Sequence, residues 1–229
     1  MKNLLSSLLD LFYPHTCDGC GTDLTRTERI LCLHCQRRLP LTGYQHLHNN
    51  PVEKIFWGRV NVRYAMAAYY YRKSSLLQQL IYQFKYNRRE DIATHFGEQM
   101  GNLLLQSKWL YEISHIIPVP IHPTKLQQRG YNQASLLANG IAAVTGKPVA
   151  NEILFRNNYV PSQTNKGRLH RWQNVSGTFS IRGTNQLNDQ HFLLIDDVLT
   201  TGATLEACSE LLINAGATVS ICTLAFANH

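Results

Sequence analysis

The sequence predicts an α/β fold, a parallel sheet flanked by helices, with a small N-terminal zinc-ribbon module. Three observations predict it. First, short continuous apolar runs, His115–Pro120 (HIIPVP) and Phe192–Ile195 (FLLI), read as strands covered on both faces. Second, a loop and then a helical period follow each of these runs, which is the strand–turn–helix order of a parallel sheet. Third, four of the six cysteines form two CxxC pairs near the N-terminus. The expected division is a short helix plus ribbon over 1–45 and the α/β domain over 46–229.

Hydrophobic content of 44% and charged content of 16% describe a soluble globular chain. No apolar run approaches the length of a membrane span, so no integral membrane segment is expected. The net charge of +7 permits an anionic partner without specifying one. Leu4, Leu5, Leu8, Leu9, Leu11 and Phe12 space a short amphipathic helix that Pro14 ends. It does not read as a signal peptide, because it carries a single lysine and Ser6, Ser7 and Asp10 interrupt the apolar run.

Cys17 and Cys20 precede eleven residues and then Cys32 and Cys35. Each CxxC pair can place two thiolates on one tetrahedral ion, and four protein ligands leave no open catalytic position, so a structural Zn2+ is expected. Paired disulfides are the alternative, favoured only by an exporting context. His15 and His34 read as neighbours of the site, and Cys208 and Cys222 as core thiols. A module this small buries little core, so the metal would supply folding free energy.

Residues 41–58 show no period and read as a linker, with Trp57 docking it. Val60–Tyr71 is rich in aromatic and β-branched residues and reads as one or two strands. Ser75 and Gln78 form a capping-box signal, followed by a helix face of Leu76, Leu77, Leu80, Ile81 and Phe84. Lys85, Tyr86, Arg88 and Arg89 cluster at its end, as a helix C-terminus favours or as a nucleic-acid contact requires. A second helix is expected over Glu90–Gln106. After the 115–120 strand, Ile121–Gly130 reads as a loop, and a helix runs from Gln133 to Thr145, stopped by Gly146. Asn151–Phe155 reads as a short strand, Arg156–Gln173 as a basic, ligand-facing loop, and Val175–Ile181 as a strand returning to the sheet. The last strand spans Ala217–Ala227.

The stretch that carries chemistry is Phe192–Thr204, FLLIDDVLTTGAT. Asp196 and Asp197 follow the apolar run, then the turn Thr200, Thr201, Gly202, Ala203 and Thr204 opens a helix that Gly216 stops. Such a turn offers free backbone N–H groups and the positive end of the helix dipole to a phosphate. Two adjacent carboxylates beside it suit ribose hydroxyls or Mg2+. In an open parallel sheet this is also the ligand end of the strand.

These thirteen residues resemble the PRPP-binding motif of type I phosphoribosyltransferases. The resemblance implies a 5′-phosphate on Thr200–Thr204, ribose hydroxyls on Asp196 and Asp197, and Mg2+ bound with the PRPP. Together with the CxxC pairs, the PVP loop, RGYNQ and the stretch from Gln163 to Asn174, the chain resembles the ComF (ComFC, GntX-like) family of bacterial competence proteins. The fold implied is a type I phosphoribosyltransferase-like sheet. The function implied is cytoplasmic handling of incoming single-stranded DNA, beside a competence helicase and recombination proteins. The loop Pro118–Pro123 resembles a pyrophosphate loop, so backbone groups of Val119, Pro120, Ile121 and His122 are its expected ligands. Arg129, Arg168 and Arg171 are the expected stabilisers of charge if a transfer reaction occurs. An active phosphoribosyltransferase, or a regulator that senses PRPP or a nucleotide, stays open. Binding is better supported than turnover, because no nucleophile or base pocket is legible.

Overall fold

The computed structural model describes residues 15–157, 178–182 and 187–227. The expected helix over 1–12 and most of the basic loop after Arg156 lie outside them. In chain order the elements are α1 (Leu33–Arg37), α2 (Pro51–Phe56), β1 (Ala65–Tyr70), α3 (Leu76–Tyr86) and α4 (Glu90–Leu105). Then come β2 (His115–Pro118), α5 (Pro123–Arg129), α6 (Gln133–Thr145), β3 (Leu154–Arg156) and β4 (Phe179–Ile181). The chain ends with β5 (His191–Leu199), α7 (Ala203–Asn214) and β6 (Thr218–Phe226).

A four-stranded sheet in the order β1-β6-β5-β2 forms the centre, and every pairing is parallel. The apolar runs are its core. Phe192–Ile195, Ile116, Ile117 and Val219 to Phe226 are buried, as strands covered on both faces require. Helices α4 and α6 pack on each other and on one face, with α3 against α4; α7 and the β3–β4 pair lie on the opposite face. The free edge of β1 is covered by the ribbon's exit. Tyr70 N–H donates to Pro40 O at 2.8 Å and Thr42 N–H to Ala68 O at 3.0 Å, so no unpaired edge faces solvent there.

Local signals explain most helix ends. Ser75 Oγ accepts from Gln78 N–H at 3.2 Å at the start of α3. Asn132 Oδ1 accepts from Ala134 N–H at 3.1 Å at the start of α6, and Gly146 ends it in the left-handed region.

Four expectations change. The expected linker over 41–58 contains a 3-10 turn and α2, capped by Asn50 Oδ1, which accepts from Val52 N–H at 2.9 Å. Val52 and Phe56 are its buried anchors, whereas Trp57 is 57% exposed. The expected loop over 121–130 contains α5, because Pro123 stands at the first turn and Gly130 supplies the stop. Strand β5 continues through Asp196 and Asp197 to Leu199, because the nine-residue β6 pairs with it that far, Val198 opposite Ala225 and Leu199 opposite Phe226. Finally, β4 does not return to the main sheet; it pairs antiparallel with β3 in a separate two-stranded sheet.

The contact between α4 and α6 is a backbone contact. A Cβ on Gly97 would lie 2.4 Å from Leu137 O, and one on Gly140 2.5 Å from Thr94 O. Backbone cannot yield as a side chain can. Gly97→Ala and Gly140→Ala are therefore each expected to destabilise the fold by about 1–3 kcal/mol, read from denaturant melts. Gly146→Ala, where a Cβ meets no atom within 4 Å but the backbone stands at φ +71°, separates the cost of a left-handed side chain from that of a steric clash.

Candidate functional site

The turn between β5 and α7 is where the sheet's carboxyl end meets a helix N-terminus. Gly202 ends the turn at φ +78°, a conformation that disfavours side chains. A Cβ there would also stand 3.0 Å from Ile55 Cγ2 and 3.1 Å from Phe56 Cε1. Among the described residues no side chain caps α7, so the first-turn N–H groups are left for a ligand. Thr200 and Thr201 are exposed beside them.

The turn is braced from behind by residues the sequence reading missed. Arg59 Nη1 donates to Thr201 O at 2.9 Å and to Ile55 O at 3.2 Å, while Nη2 pairs with the buried Glu206 carboxylate on α7. Arg59 thus ties the turn, α2 and α7 together. It lies just past a segment without period, so no local pattern marks it.

Asp196 and Asp197 occupy consecutive positions of a regular strand and so face opposite sides of the sheet. Asp197 Oδ2 pairs with Lys85 Nζ at the end of α3, at 2.7 Å. Asp196 looks toward α7 and the end of β3, within electrostatic reach of Cys208 and Arg156. Its Oδ1 accepts from Asp197 N–H at 2.9 Å. Burial, reinforced by the neighbouring Asp197 charge, pushes its carboxyl up to about 7.

The loop after β2 narrows the expected donor set. Val119 N–H donates to Ile195 O at 2.9 Å, which prolongs the β2–β5 pairing, and Val119 O accepts from Asn132 Nδ2 at 3.0 Å. Pro120 has no N–H. Ile121 and His122 remain as backbone donors. His122 caps α5, with Nδ1 accepting from Thr124 N–H at 3.2 Å.

The RGYNQ motif acts as a clasp. Arg129 Nη1 donates to Gln133 Oε1 at 2.8 Å, Gly130 ends α5, and Tyr131 donates its hydroxyl to Phe84 O. Asn132 holds the Val119 carbonyl and caps α6. The Arg129 guanidinium lies over the Tyr86 ring at 5.2 Å. Arg168 and Arg171 lie outside the described residues.

The four ribbon cysteines converge. Their sulfurs all lie within 4.8 Å of one another, and Cys20 and Cys32 Sγ are 3.7 Å apart. A tetrahedron with Zn–S arms of about 2.3 Å has edges of about 3.8 Å, so the set is positioned to bind one metal ion. Cys17 Sγ also accepts from Cys32 N–H at 3.2 Å, a bond that stabilises thiolate charge. Gly19 is required by space: a Cβ would stand 2.9 Å from Cys35 Sγ and 3.1 Å from Leu76 Cδ1. His15 and His34 do not join the cluster. Asp18, between two of these residues, forms a two-pronged ion pair with Arg89, at 2.5 and 2.7 Å.

With the geometry described, comparison with known proteins places the chain. A family model for the phosphoribosyl transferase domain matches residues 133–229, which span α6 to β6 and include the β5–α7 turn. The chain is 27% identical over 217 residues to Competence protein F of Haemophilus influenzae, covering 88% of this chain and 92% of that one. It is 28% identical over 214 residues to DNA utilization protein YhgH of Shigella flexneri, covering 90% and 87% respectively. It is 25% identical over 153 residues to Competence protein ComFC of Bacillus subtilis, covering 66% and 59%. No helix among the described residues is long and apolar enough to cross a membrane.

Two outcomes are expected. Cys32→Ser should lower bound zinc well below one ion per chain, measured by plasma emission, and lower the melting temperature. For Asp196, the folded carboxyl at about 7 lies above its ordinary value near 4, so the folded chain holds this proton more tightly than the unfolded one. The group's contribution to stability is therefore greatest below about pH 4 and falls as pH rises through about 7. Asp196→Asn should remove that fall, seen as a flatter melting temperature between roughly pH 5 and pH 8.

Proposed function

From the premise that this chain is a homologue of Competence protein F, ComFC and YhgH and carries a phosphoribosyl transferase domain, we propose that it is a cytoplasmic DNA-uptake protein that handles incoming single-stranded DNA. Its crevice binds PRPP, or a nucleotide's 5′-phosphate and ribose, together with Mg2+. The cysteine cluster holds a structural Zn2+, and the protein works beside a helicase and recombination proteins.

One observation carries the ligand assignment: an uncapped helix N-terminus, opened by a glycine no side chain can replace, stands directly after two strand-borne carboxylates. The phosphate belongs on the N–H groups of Ala203 and Thr204 and the hydroxyls of Thr200 and Thr201. Asp196 and Asp197 would hold the ribose hydroxyls or the Mg2+, which supplies charge neutralisation for the pyrophosphate. Lys85 balances the charge of Asp197 until a ligand arrives.

The geometry favours binding over turnover. A transferase must stabilise a departing pyrophosphate, yet the β2–α5 loop offers two free backbone donors and the Arg129 guanidinium is engaged by Gln133 and Tyr86. Titration calorimetry of the zinc-loaded protein with PRPP and Mg2+ tests the reading. Saturable binding is expected, and Asp196→Ala and Thr201→Ala should each weaken it at least about tenfold, the loss of one charged or polar ligand contact. An absence of binding heat at millimolar PRPP overturns the ligand assignment. Release of pyrophosphate with an acceptor base overturns the preference for binding.

A further inference from the structure

Beside the crevice, α3 and α5 enclose a second, unassigned concavity. It has a volume of about 220 Å³ and is lined by Lys85, Tyr86, Arg88, Lys125 and Arg129. Lys85 forms part of this wall and pairs with Asp197, so the recess opens at the rim of the candidate ligand site.

Two features give the recess a chemistry. The first is unbalanced positive charge. Among the described residues Arg88 and Lys125 form no ion pair, whereas Arg129 is engaged by Gln133 and the adjacent Arg89 is consumed by Asp18 and Asp91. Arg88 sits in the left-handed region at φ +56°, a backbone state uncommon for a side chain of its size, and it lines the recess from there. The second is an exposed aromatic platform. Tyr82 and Tyr86 are 58% and 59% exposed and stand one helical turn apart, their ring centroids 4.8 Å from each other. Arg129 braces the Tyr86 ring. A solvent-facing tyrosine pair gains little from folding, and its exposed ring surface is available to a base.

We propose that this recess is the landing surface for single-stranded DNA: Arg88 and Lys125 hold successive backbone phosphates while Tyr82 and Tyr86 stack unpaired bases. The combination is what sequence-tolerant single-strand binding requires, a positive groove with aromatic faces along it. A duplex satisfies the cations but presents no free base faces. The surface also explains how a chain whose sheet is built for a phosphoribosyl ligand meets a polymer: the strand passes beside Asp197, along the crevice rim. The inference rests on the single-strand reading above and assigns it a place.

Fluorescence anisotropy of a labelled 15-nucleotide single strand, titrated across salt concentrations, tests it on the full zinc-loaded chain. Arg88→Ala with Lys125→Ala should reduce the slope of log affinity against log salt by about 1.4, two phosphate contacts at about 0.7 each. Tyr82→Ala with Tyr86→Ala should weaken binding roughly 5- to 100-fold and leave that slope unchanged. Lys125→Glu, a single exposed position on the opposite wall, should weaken binding without altering the melting temperature. Wild-type affinity and slope in all three variants would overturn the surface while leaving DNA handling intact. A duplex of the same length bound as tightly as the single strand would overturn the stacking assignment. If the wild-type chain binds no single strand, both this inference and the DNA-handling reading fall, with PRPP binding judged separately by calorimetry.

Discussion

The pleat of one strand sets the chemistry of the whole crevice. Because β5 stays paired with β6 past the apolar run, Asp196 and Asp197 are strand residues, and a strand sends consecutive side chains to opposite faces. Each carboxylate therefore faces a different layer. Asp197 meets Lys85 from α3, and Asp196 faces α7 and Arg156 at the end of β3. Two acids adjacent in sequence end up in different surroundings: Asp197 is ion-paired, and Asp196 is pushed toward neutrality by burial. A shorter β6 would release the pair into a turn, and both would be solvated alike.

The turn that follows depends on support that points away from the ligand. Glu206 lies buried in α7, and a buried carboxylate is tolerable only with a charged partner, which Arg59 provides. The same guanidinium holds the Thr201 carbonyl, so the pair also fixes the backbone of the turn between β5 and α7. Ile55 and Phe56 close against Gly202 from the same side. Segment 51–59 thus acts as the floor of the site, and the packing of Val52 and Phe56 beneath the sheet holds that floor in place.

What was legible in the sequence was local. The cysteine spacing, the Ser75 and Asn132 caps, the Gly146 stop and the apolar runs each express a rule acting within a few residues, and each appears in the structure as expected. What was not legible was set by partners far along the chain. Nothing near Gly97 announces that its Cα faces the Leu137 carbonyl, and nothing near Arg59 announces Glu206. RGYNQ was legible as a motif but not as a clasp, because its contacts run to Phe84 and Val119. The helix α5 is a different kind of miss. Its signals, Pro123 at the start and Gly130 at the stop, were local and present, but a seven-residue stretch that begins on a proline and ends at a glycine reads more readily as loop.

The stronger of two ion pairs that join the ribbon to this machinery is Asp18–Arg89; the other, Arg29–Glu98, is longer at 3.8 Å. Asp18 sits inside the first CxxC turn, so its position is fixed by whatever fixes Cys17 and Cys20. Its two oxygens take the Arg89 guanidinium, and that pairing, with Asp91, holds Arg89 well above the usual guanidinium range. Arg89 stands at the corner between α3 and α4, next to Arg88 and a few residues from Lys85 and Tyr86. A metal held by the four cysteines would therefore do more than hold a small module together. By fixing Asp18 it would steady the corner from which Arg88 and the Lys85 partner of Asp197 project.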